Sequence, residues 1–551
     1  MKRTVTVVFV CVLLTVLFAG CGKKAASAAT SGPALSGLPP GTLPVTQEKV
    51  DLRIFFQQES QVLDYVDNKF TKHLEEQTNV HINWELVSSQ DKTQKLNLLL
   101  ATGQDLPDVF MGGMDTSILV AYAAQGTFIP LEDYIDKTSL WFKNVIAKHP
   151  ELPKMMTAPD GHIYALPNLA FVYPNMISSR MWINRVWLDK LGLKAPTTTD
   201  EYRDVLRAFK TRDPNGNGRA DEIPLIGATN GWNTIPETFI LNSFLEYPTT
   251  GNGTGSIRYT VSPQGKITPV FNQEAYRDGI IYMNELVKEG LLDTVTFTQD
   301  INQLRQGFEN PGYAYIGSLP GGGANSFADR VNSTRYQDYE LLPPLKGPKG
   351  VQSTAYNPYL YFSIPNCYVI TSSCKNPEVA FRFADYFYDE QISLWSRLGK
   401  PGEDYTPNPP KAALDGGTAL YEQILVWGSQ HKAHWQNTQP LYNFFDAKSA
   451  LNPDPYYLTN ILWNAMLAYQ PYAPKQETCL PPLIYTADEA KEMNDINVAL
   501  IQYIDESRIR FITTGGIERE WASYLRELDN IGLKRVVEIV QTAYDRFANA
   551  K

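Results

Sequence analysis

Strand and helix patterns alternate regularly after residue 49, and this order constrains the fold more than any other feature of the sequence. Val50 to Phe56 alternates apolar and polar residues, an amphipathic stretch runs from Tyr65 to Thr78, and Val80 to Leu86 again has strand character. A helical segment from Lys92 to Thr102 and a third strand, Leu106 to Phe110, complete the series. Strands that alternate with helices at this spacing indicate parallel βαβ units. We therefore predict an α/β fold.

This strand order also predicts where a ligand binds. In open parallel sheets, ligands collect outside the carboxyl ends of the strands. The loops that follow the first and third strands contain Gln57, Glu59 and Gly113. We expect these three residues to line a ligand cleft.

Length and charge limit the function classes. A chain of 551 residues is too long for one hydrophobic core, so at least two lobes are expected. The formal net charge is −10 and no long run of lysine and arginine occurs, which excludes nucleic acid as the partner. Aromatic residues make up 12% of the chain, and flat rings suit stacking against sugars, although most such rings fill a core.

The N-terminus predicts export and lipidation. Lys2 and Arg3 precede the apolar run Val5 to Phe18, which is short for a membrane-spanning helix and typical of a signal peptide. The following Ala19-Gly20-Cys21 resembles a bacterial lipobox, in which the cysteine is acylated. We assign residues 1–20 to a lipoprotein signal peptide and 21–48 to a flexible tether. The protein is then held by a lipid on the outer face of the cell membrane; an ordinary signal peptide with a chance cysteine is the alternative.

Three further cysteines remain in the exported chain. Cys367, Cys374 and Cys479 are an odd number and have no metal-ligand spacing. The simplest interpretation is three buried thiols, with one disulfide left open.

One loop has the residue pattern of a calcium site. Asp213, Asn215 and Asn217 place side-chain oxygens at relative positions 1, 3 and 5, and Gly218 follows at position 6. This reproduces the first half of an EF-hand loop, in which a backbone carbonyl, here that of Arg219, adds a ligand. The EF-hand glutamate at position 12 is replaced by Pro224, so Asp221 and Glu222 would supply the remaining oxygens. A metal-free turn is the alternative, because Asp, Asn and Gly form turns readily.

Several segments resemble family 1 extracellular solute-binding proteins, most closely the large lipoprotein subgroup that includes the alginate-binding proteins. The matching segments occur in the same order over about 500 residues. They are Lys95 to Val109, Trp187 to Leu193 with Pro196-Thr197, Met283 to Leu286 with Glu289 to Asp293, and Leu533 to Phe547.

The resemblance implies a two-lobed, periplasmic-binding-protein fold of type II with mixed sheets, flanking helices and a hinge. It assigns residues 49–167 and 352–395 to lobe 1, and residues 168–351 and 396–551 to lobe 2. It also implies a structural Ca²⁺ ion held by the loop residues Asp213, Asn215, Asn217, Arg219, Asp221 and Glu222. The partners it implies are a carbohydrate and the permease subunits of an ABC importer, with the protein itself a monomer.

Four further residues are candidates for ligand contact. Trp232 lies in the glycine-containing turn Asn230 to Asn233, and Ser318 ends a strand before three glycines. Trp427 and Trp435 are eight residues apart and flank His431 and His434. These patterns also occur as ordinary turns and core positions. His431 and His434 have no third metal ligand nearby, so a metal site there is disfavoured.

These features favour a lipid-anchored binding component of an ABC importer that captures a carbohydrate, with an oligosaccharide as the expected ligand, and catalyses no reaction. A sugar-sensing or adhesin lipoprotein of the same fold is one alternative. A secreted glycan-active enzyme is another, but no catalytic motif nominates the carboxylate pair that it would need. The sequence leaves open whether the sugar is neutral or a uronate.

Overall fold

Most strands of the protein are short, and the three longest, with eight or nine residues, belong to the first sheet. A computed structural model describes residues 35–248, 257–425 and 429–550. The strands of these residues are β1 (Val50–Gln57), β2 (Val80–Val87), β3 (Val109–Met111), β4 (Ala165–Ala170), β5 (Met181–Asn184), β6 (Ile223–Leu225), β7 (Tyr259–Val261), β8 (Ile267–Pro269), β9 (Ile316–Pro320), β10 (Tyr339–Leu342), β11 (Phe362–Ile370), β12 (Tyr405–Pro407), β13 (Tyr421–Gln423) and β14 (Leu441–Asn443).

Helices fill most of the connections and form the C-terminal part of the chain. They are α1 (Lys69–Thr78), α2 (Lys92–Thr102), α3 (Thr116–Ala123), α4 (Glu132–Thr138), α5 (Trp141–Lys148), α6 (Leu152–Met156), α7 (Tyr173–Met176), α8 (Arg185–Leu191), α9 (Thr199–Thr211), α10 (Pro236–Leu241), α11 (Glu274–Lys288), α12 (Ile301–Phe308), α13 (Pro377–Tyr386), α14 (Glu390–Leu398), α15 (Leu458–Tyr469), α16 (Ala487–Thr514), α17 (Ile517–Ile531) and α18 (Leu533–Asn549).

The first sheet has six strands in the order β14-β4-β11-β3-β1-β2. Strand β1 runs parallel to both β2 and β3, so that Ile54 lies opposite Trp84 on one side and Val109 on the other. Strand β11 is antiparallel to β3 and β4, which makes the sheet mixed. The predicted βαβ order is therefore confirmed, and the loops after β1 and β3 leave the sheet at the same edge.

The second sheet has four strands in the order β10-β5-β9-β6. Strands β6 and β9 are parallel, whereas β5 is antiparallel to both β9 and β10. Parallel neighbours place the loops that follow β6 and β9 at one edge of this sheet as well. With two mixed sheets and flanking helices, the predicted α/β class is confirmed.

Part of the segment 396–551, predicted to belong to lobe 2, packs with the first sheet. Strand β14, which lies within the segment 396–551 assigned to lobe 2, pairs with β4 of the first sheet. Trp435 likewise packs against Phe56 and Phe70, whose rings belong to the first sheet and to α1. The segment that follows α14 therefore stays with the first sheet as far as β14. The other lobe limits remain predictions.

The tether and signal peptide fall largely outside the described part of the chain. Residues 1–34, including the predicted lipidation site Cys21, are not described. Among the residues that are described, no helix combines the length and the apolar character needed to cross a membrane.

The three described cysteines are free and buried. Burial raises the pKa of the Cys367, Cys374 and Cys479 thiols to about 12. Because the thiolate is the reactive form, we expect none of the three to react with a thiol reagent at neutral pH in the native protein. In protein lacking residues 1–21, the reagent should titrate three thiols, and only after denaturant is added. Rapid labelling without denaturant would contradict this arrangement.

Candidate functional site: a cleft between the two sheets

A large cleft lies between the loops of the two sheets. Its volume is about 1420 Å³. The first sheet contributes the loops after β1 and β3, and the second sheet contributes the loops after β6 and β9. Of the predicted ligand residues, Gln57, Glu59, Gly113 and Trp232 all line this cleft. Carboxyl ends of parallel strands thus face the cleft from both sides, as the rule for α/β sheets requires.

Two glycines allow the loop after β3 to approach the loop after β1. Gly112 and Gly113 have φ angles of 96° and 93°. A Cβ atom on Gly112 would lie 3.2 Å from Cβ of Gln57, and one on Gly113 would lie 2.6 Å from Cγ2 of Ile364. Larger residues are therefore excluded by both backbone strain and space at this wall of the cleft.

A lysine and a glutamate from the first sheet face the same part of the cleft. Lys92, at the start of α2, donates a hydrogen bond from Nζ to the carbonyl of Gly112 at 2.5 Å. Burial raises the pKa of Glu59 and lowers the pKa of Lys92, while the charge of each partner opposes these shifts. Two side chains of opposite charge therefore lie near each other in a partly desolvated part of the cleft.

A second group of charges lines the cleft further along the first sheet. Arg397, from α14, donates a hydrogen bond to Asn437 Oδ1 and lies 3.7 Å from Asp446 Oδ1. Its side chain is 14% exposed. The positive charge of this arginine is therefore held by the wall of the cleft.

A tight turn after β6 positions the indole of Trp232. Gly231 has a φ angle of 113° and Asn233 one of 54°. Thr234 Oγ1 donates to the Asn230 carbonyl at 2.8 Å, and Asn230 Oδ1 accepts from the Ile301 amide at 2.7 Å. Asn233 Nδ2 donates to Ser178 Oγ at 2.8 Å. These bonds fix the turn on several sides before any ligand binds.

The glycine-rich turn after β9 forms the bed on which Trp232 lies. The Gly322 amide donates to the Trp232 carbonyl at 2.8 Å, and Ser326 Oγ donates to the same oxygen at 3.1 Å. A Cβ atom on Gly322 would lie 2.6 Å from the Cε3 atom of the indole. One side of the ring is therefore covered by glycine backbone, and the half-buried ring also lines the cleft.

A second chamber of about 650 Å³ opens beside the first. It shares Trp232 and four further lining residues with the cleft. The shared residues are Ala170, Val172, Asn175, Trp232 and Ser363.

Two predicted ligand residues lie in the core instead. Ser318 is fully buried, accepts a hydrogen bond from Tyr202 Oη and donates to the Trp182 carbonyl, so it does not reach the cleft. Trp435 is also fully buried, with its Nε1 donating to Thr71 Oγ1 at 2.9 Å. The ligand roles predicted for Ser318 and Trp435 are therefore wrong on grounds of accessibility.

Within the described residues 429–435, neither histidine presents its ring to the solvent. Trp427 lies outside the described residues. His431 and His434 are buried and stack with ring centroids 3.9 Å apart. Burial and the neighbouring histidine lower the pKa of His434 well below its usual value.

Three other residues that line the cleft, Asn325, Arg397 and Asp446, were not predicted from the sequence. Asn325 follows the three glycines after β9, so its place in the cleft could have been inferred from that turn. Arg397 lies near the end of α14 and Asp446 follows β14, and the pairing of β14 with β4, which brings Asp446 to the cleft, has no local sequence signal.

The predicted calcium loop is folded around its own acidic side chains. Asp213 accepts hydrogen bonds from the amides of Gly216, Asn217 and Gly218. The side-chain amides of Asn215 and Asn217 donate to Asp221 at 3.0 Å. Both carboxylate oxygens of Glu222 are buried and have no hydrogen-bond partner. Burial raises the pKa of Glu222, the nearby backbone amides of Glu222 and Asn215 lower it in part, and the charges of Asp213 and Asp221 raise it.

Among the described residues, carboxylate, thiol and imidazole groups alone do not form a metal site. In the described ranges, no group of three or more His, Cys, Asp or Glu side chains is placed to hold a metal ion. An ion in the loop would therefore need the amide oxygens of Asn215 and Asn217 and the carbonyl of Arg219 as well. Such oxygens are ordinary calcium ligands, and an amide presents its oxygen after a half turn of the side chain.

Comparison with known proteins identifies the family. The family model for bacterial extracellular solute-binding proteins matches residues 58–392, and the chain belongs to this family. The predicted membership is therefore confirmed.

Individual relatives cover nearly the whole chain. The protein is 31% identical to the fructooligosaccharide ABC transporter substrate-binding protein FusA of Streptococcus pneumoniae serotype 4, over 97% of each chain. The structure of S. pneumoniae FusA in complex with kestose is similar with a TM-score of 0.71 and 27% identity, covering 91% of this chain and 100% of that chain. A FusA EF-hand mutant in complex with fructo-nystose gives the same values. The alginate-binding protein AlgQ2 without calcium ion shares the fold, with a TM-score of 0.63 and 22% identity, over 91% of this chain and 99% of that chain.

Proposed function

We propose that this protein is the substrate-binding component of an ABC importer and captures an oligosaccharide in the cleft between its two sheets. The observation that carries the proposal is the Trp232 indole, which lies on the backbone of Gly322 and also lines the cleft. A flat aromatic ring fixed in this way suits the C–H face of a sugar ring. The amide side chains that line the same cleft, including Asn168, Asn175 and Asn325, suit hydrogen bonding to sugar hydroxyls.

The relatives support the same ligand class. FusA is named as the substrate-binding protein of a fructooligosaccharide ABC transporter, and its structure was solved in complex with kestose. At 31% identity over nearly the full length, the general ligand class transfers more readily than the individual sugar. Solute-binding proteins hand ligand to a membrane partner, so a permease is the partner that the proposal requires.

The cleft has the construction needed for closure on ligand. Its walls come from loops of both sheets, so a sugar held between Gln57 and Trp232 contacts both. A ligand shifts a conformational equilibrium only through contacts that differ between the two states. Contacts made by both walls together therefore favour a closed form, which the permease distinguishes from the empty one.

The proposal includes release of the ligand without reaction. Its test is the melting temperature of protein lacking residues 1–21, measured with a panel of neutral and acidic oligosaccharides, together with chromatography of each sugar afterwards. We expect a ligand-specific rise in melting temperature, because a ligand of the native state stabilises it by mass action. The sugar should be recovered intact; cleaved sugar would support an enzyme, and no shift with any sugar would overturn the carbohydrate assignment.

We also propose that Cys21 carries the lipid and holds the protein on the outer face of the membrane. The support is the sequence Ala19-Gly20-Cys21 after a short apolar run. Replacing Cys21 with serine should release the protein into the medium of cells that otherwise retain it in the membrane fraction. Retention of the serine variant in that fraction would contradict the anchor.

A structural calcium ion in the loop from Asp213 to Glu222 is the third part of the proposal. The support is the pair of buried, unpartnered Glu222 oxygens beside Asp213 and Asp221, a cluster of negative charge that a cation would neutralise. An EF-hand mutant of the relative FusA is consistent with such a loop. The ion would pin the turn between α9 and β6.

Glu222→Gln tests this site with opposite effects in the two states. Burial raises the pKa of Glu222 above that of the unfolded chain, so in calcium-free protein the stability falls as pH rises between these two pKa values. We therefore expect Glu222→Gln to raise the melting temperature in chelator at neutral pH and to remove most of the further rise that millimolar calcium gives the wild type. An equal calcium response in both proteins would show that Glu222 is not a ligand.

A further inference from the structure

The ligand cleft continues past Trp232 into the second chamber. The first chamber is the 1420 Å³ cleft lined by Gln57, Glu59 and Gly113, and the second is the 650 Å³ space lined by Asn357, Tyr359, Leu360 and Leu480. Trp232 lines both on the second-sheet side, and Ser363, in β11, lines both on the first-sheet side. A chain-like ligand stacked on the indole therefore has open space in both directions.

The two chambers differ in charge. The first chamber is lined by charged side chains of both signs, including Glu59, Lys92, Asp115, Arg330, Arg397 and Asp446. None of the described residues that line the second chamber has a charged side chain. Its polar groups are hydroxyls and amides, and its remaining surface is aromatic or aliphatic.

The cations of the first chamber are already engaged by the protein. Lys92 bonds the Gly112 carbonyl and faces Glu59. Arg397 lies beside Asp446, and Arg330 donates to the Tyr456 carbonyl with its guanidinium 5.1 Å from the Tyr336 ring centroid. A ligand carboxylate would have to compete with these bonds, and it would be desolvated without a cation in the second chamber.

The walls of the second chamber match a neutral sugar. Asn233 and Ser178, which are hydrogen bonded to each other, lie on one side with the rim of the Trp232 turn. Leu360, Phe362 and the run Leu480 to Pro482 supply apolar surface. Hydroxyl groups need amide and hydroxyl partners, and the C–H faces of a sugar need apolar ones.

We propose that the second chamber is an extension of the ligand site that binds the uncharged end of an oligosaccharide whose other end occupies the first chamber. The inference rests on the proposed function and adds two properties to it. Affinity increases with chain length once the ligand reaches past Trp232, and a uronate residue at the end held in the second chamber is rejected.

The test measures binding of neutral fructooligosaccharides from disaccharide to hexasaccharide by calorimetry, on wild type and on Leu360→Trp, which fills the second chamber. We expect wild-type affinity to rise about tenfold on passing from short to long members, the gain given by about one added set of hydrogen bonds and apolar contacts. Leu360→Trp should remove this gain, so that long and short members of the series bind the variant with similar affinity. Leu480→Trp, which fills the chamber from the opposite segment, should behave in the same way.

Val498→Trp is the matched control, because Val498 is 74% exposed on α16 and lines neither chamber. It should bind the whole series like the wild type. If Trp232→Ala weakens all sugars but neither filling variant changes the length dependence, the second chamber is not part of the site, although the proposed function stands. Equal affinity for a neutral oligosaccharide and its counterpart of the same length with a terminal uronate also overturns the inference. If no oligosaccharide binds to the wild type, the proposed function itself fails.

Discussion

Replacing Trp232 with alanine should weaken oligosaccharide binding by about 30-fold, which corresponds to roughly 2 kcal/mol, the loss usual for an aromatic residue at the centre of a binding site. The reason is geometric. The backbone carbonyl of Trp232 accepts hydrogen bonds from Gly322 and Ser326, which fixes the residue in place. Its indole lines both chambers of the cleft. Calorimetric titration of folded wild-type and variant proteins with the same sugar measures the change.

Gly322→Ala tests the same account without removing the ring. Because the added Cβ atom would lie 2.6 Å from Cε3 of the indole, the ring must move, and we expect a loss of affinity of similar direction. Gly307→Ala is the matched control, since a Cβ atom there meets no atom within 4 Å. If Gly322→Ala binds like Gly307→Ala, the position of the Trp232 ring does not matter to the ligand.

Glu237→Gln should destabilise the protein by about 3 kcal/mol, the lower end of the usual cost of breaking a buried ion pair, because Arg508 keeps Asp505 as a second partner at 3.5 Å. Glu237 on α10 and Arg508 on α16 form an ion pair in which the side chains are only 3% and 6% exposed. The pair joins the second-sheet helices to the long C-terminal helix. Urea unfolding followed by far-UV circular dichroism measures the change in the free energy of unfolding.

An exposed pair of the same chemistry serves as the control. Glu492 and Arg535 bond through two nitrogens, but their side chains are 45% and 51% exposed. Glu492→Gln should leave the unfolding midpoint unchanged within error, because solvent screens exposed pairs. The double variant Glu237→Leu with Arg508→Met should recover much of the lost stability, since it removes both charges of the buried pair. A small effect of Glu237→Gln alone would mean that water reaches the pair.

The βαβ part of the first sheet, from β1 to β3, could be predicted from the sequence because alternation and helical periodicity are properties of neighbouring residues. Strands β1 and β2 occur where alternation places them, and helix α2 has the predicted bounds, Lys92 to Thr102. Parallel order then fixed which loops face the cleft, and Gln57, Glu59 and Gly113 lie there. Trp232 lines the cleft for a related reason, since its turn follows β6 at the carboxyl end of the parallel strands of the second sheet.

Other expectations failed because they depended on distant contacts. Trp435 has the residue type of a sugar-stacking group, but Phe56, Phe70, Trp84 and Phe387 enclose it, and all four come from remote parts of the chain. Ser318 lies inside strand β9, where its hydroxyl accepts a hydrogen bond from Tyr202 in the core. The cleft is reached only by the turn that follows this strand. The place of β14 beside β4 has no local signal in a strand of three residues.

Calorimetric titration of the wild-type protein lacking residues 1–21 with neutral fructooligosaccharides, followed by chromatography of the recovered sugar, tests the central claim most directly. The account predicts saturable binding with one site per chain, weakened by Trp232→Ala, and sugar recovered without change. Absence of binding to neutral and acidic oligosaccharides alike, or recovery of shortened sugar, would contradict it.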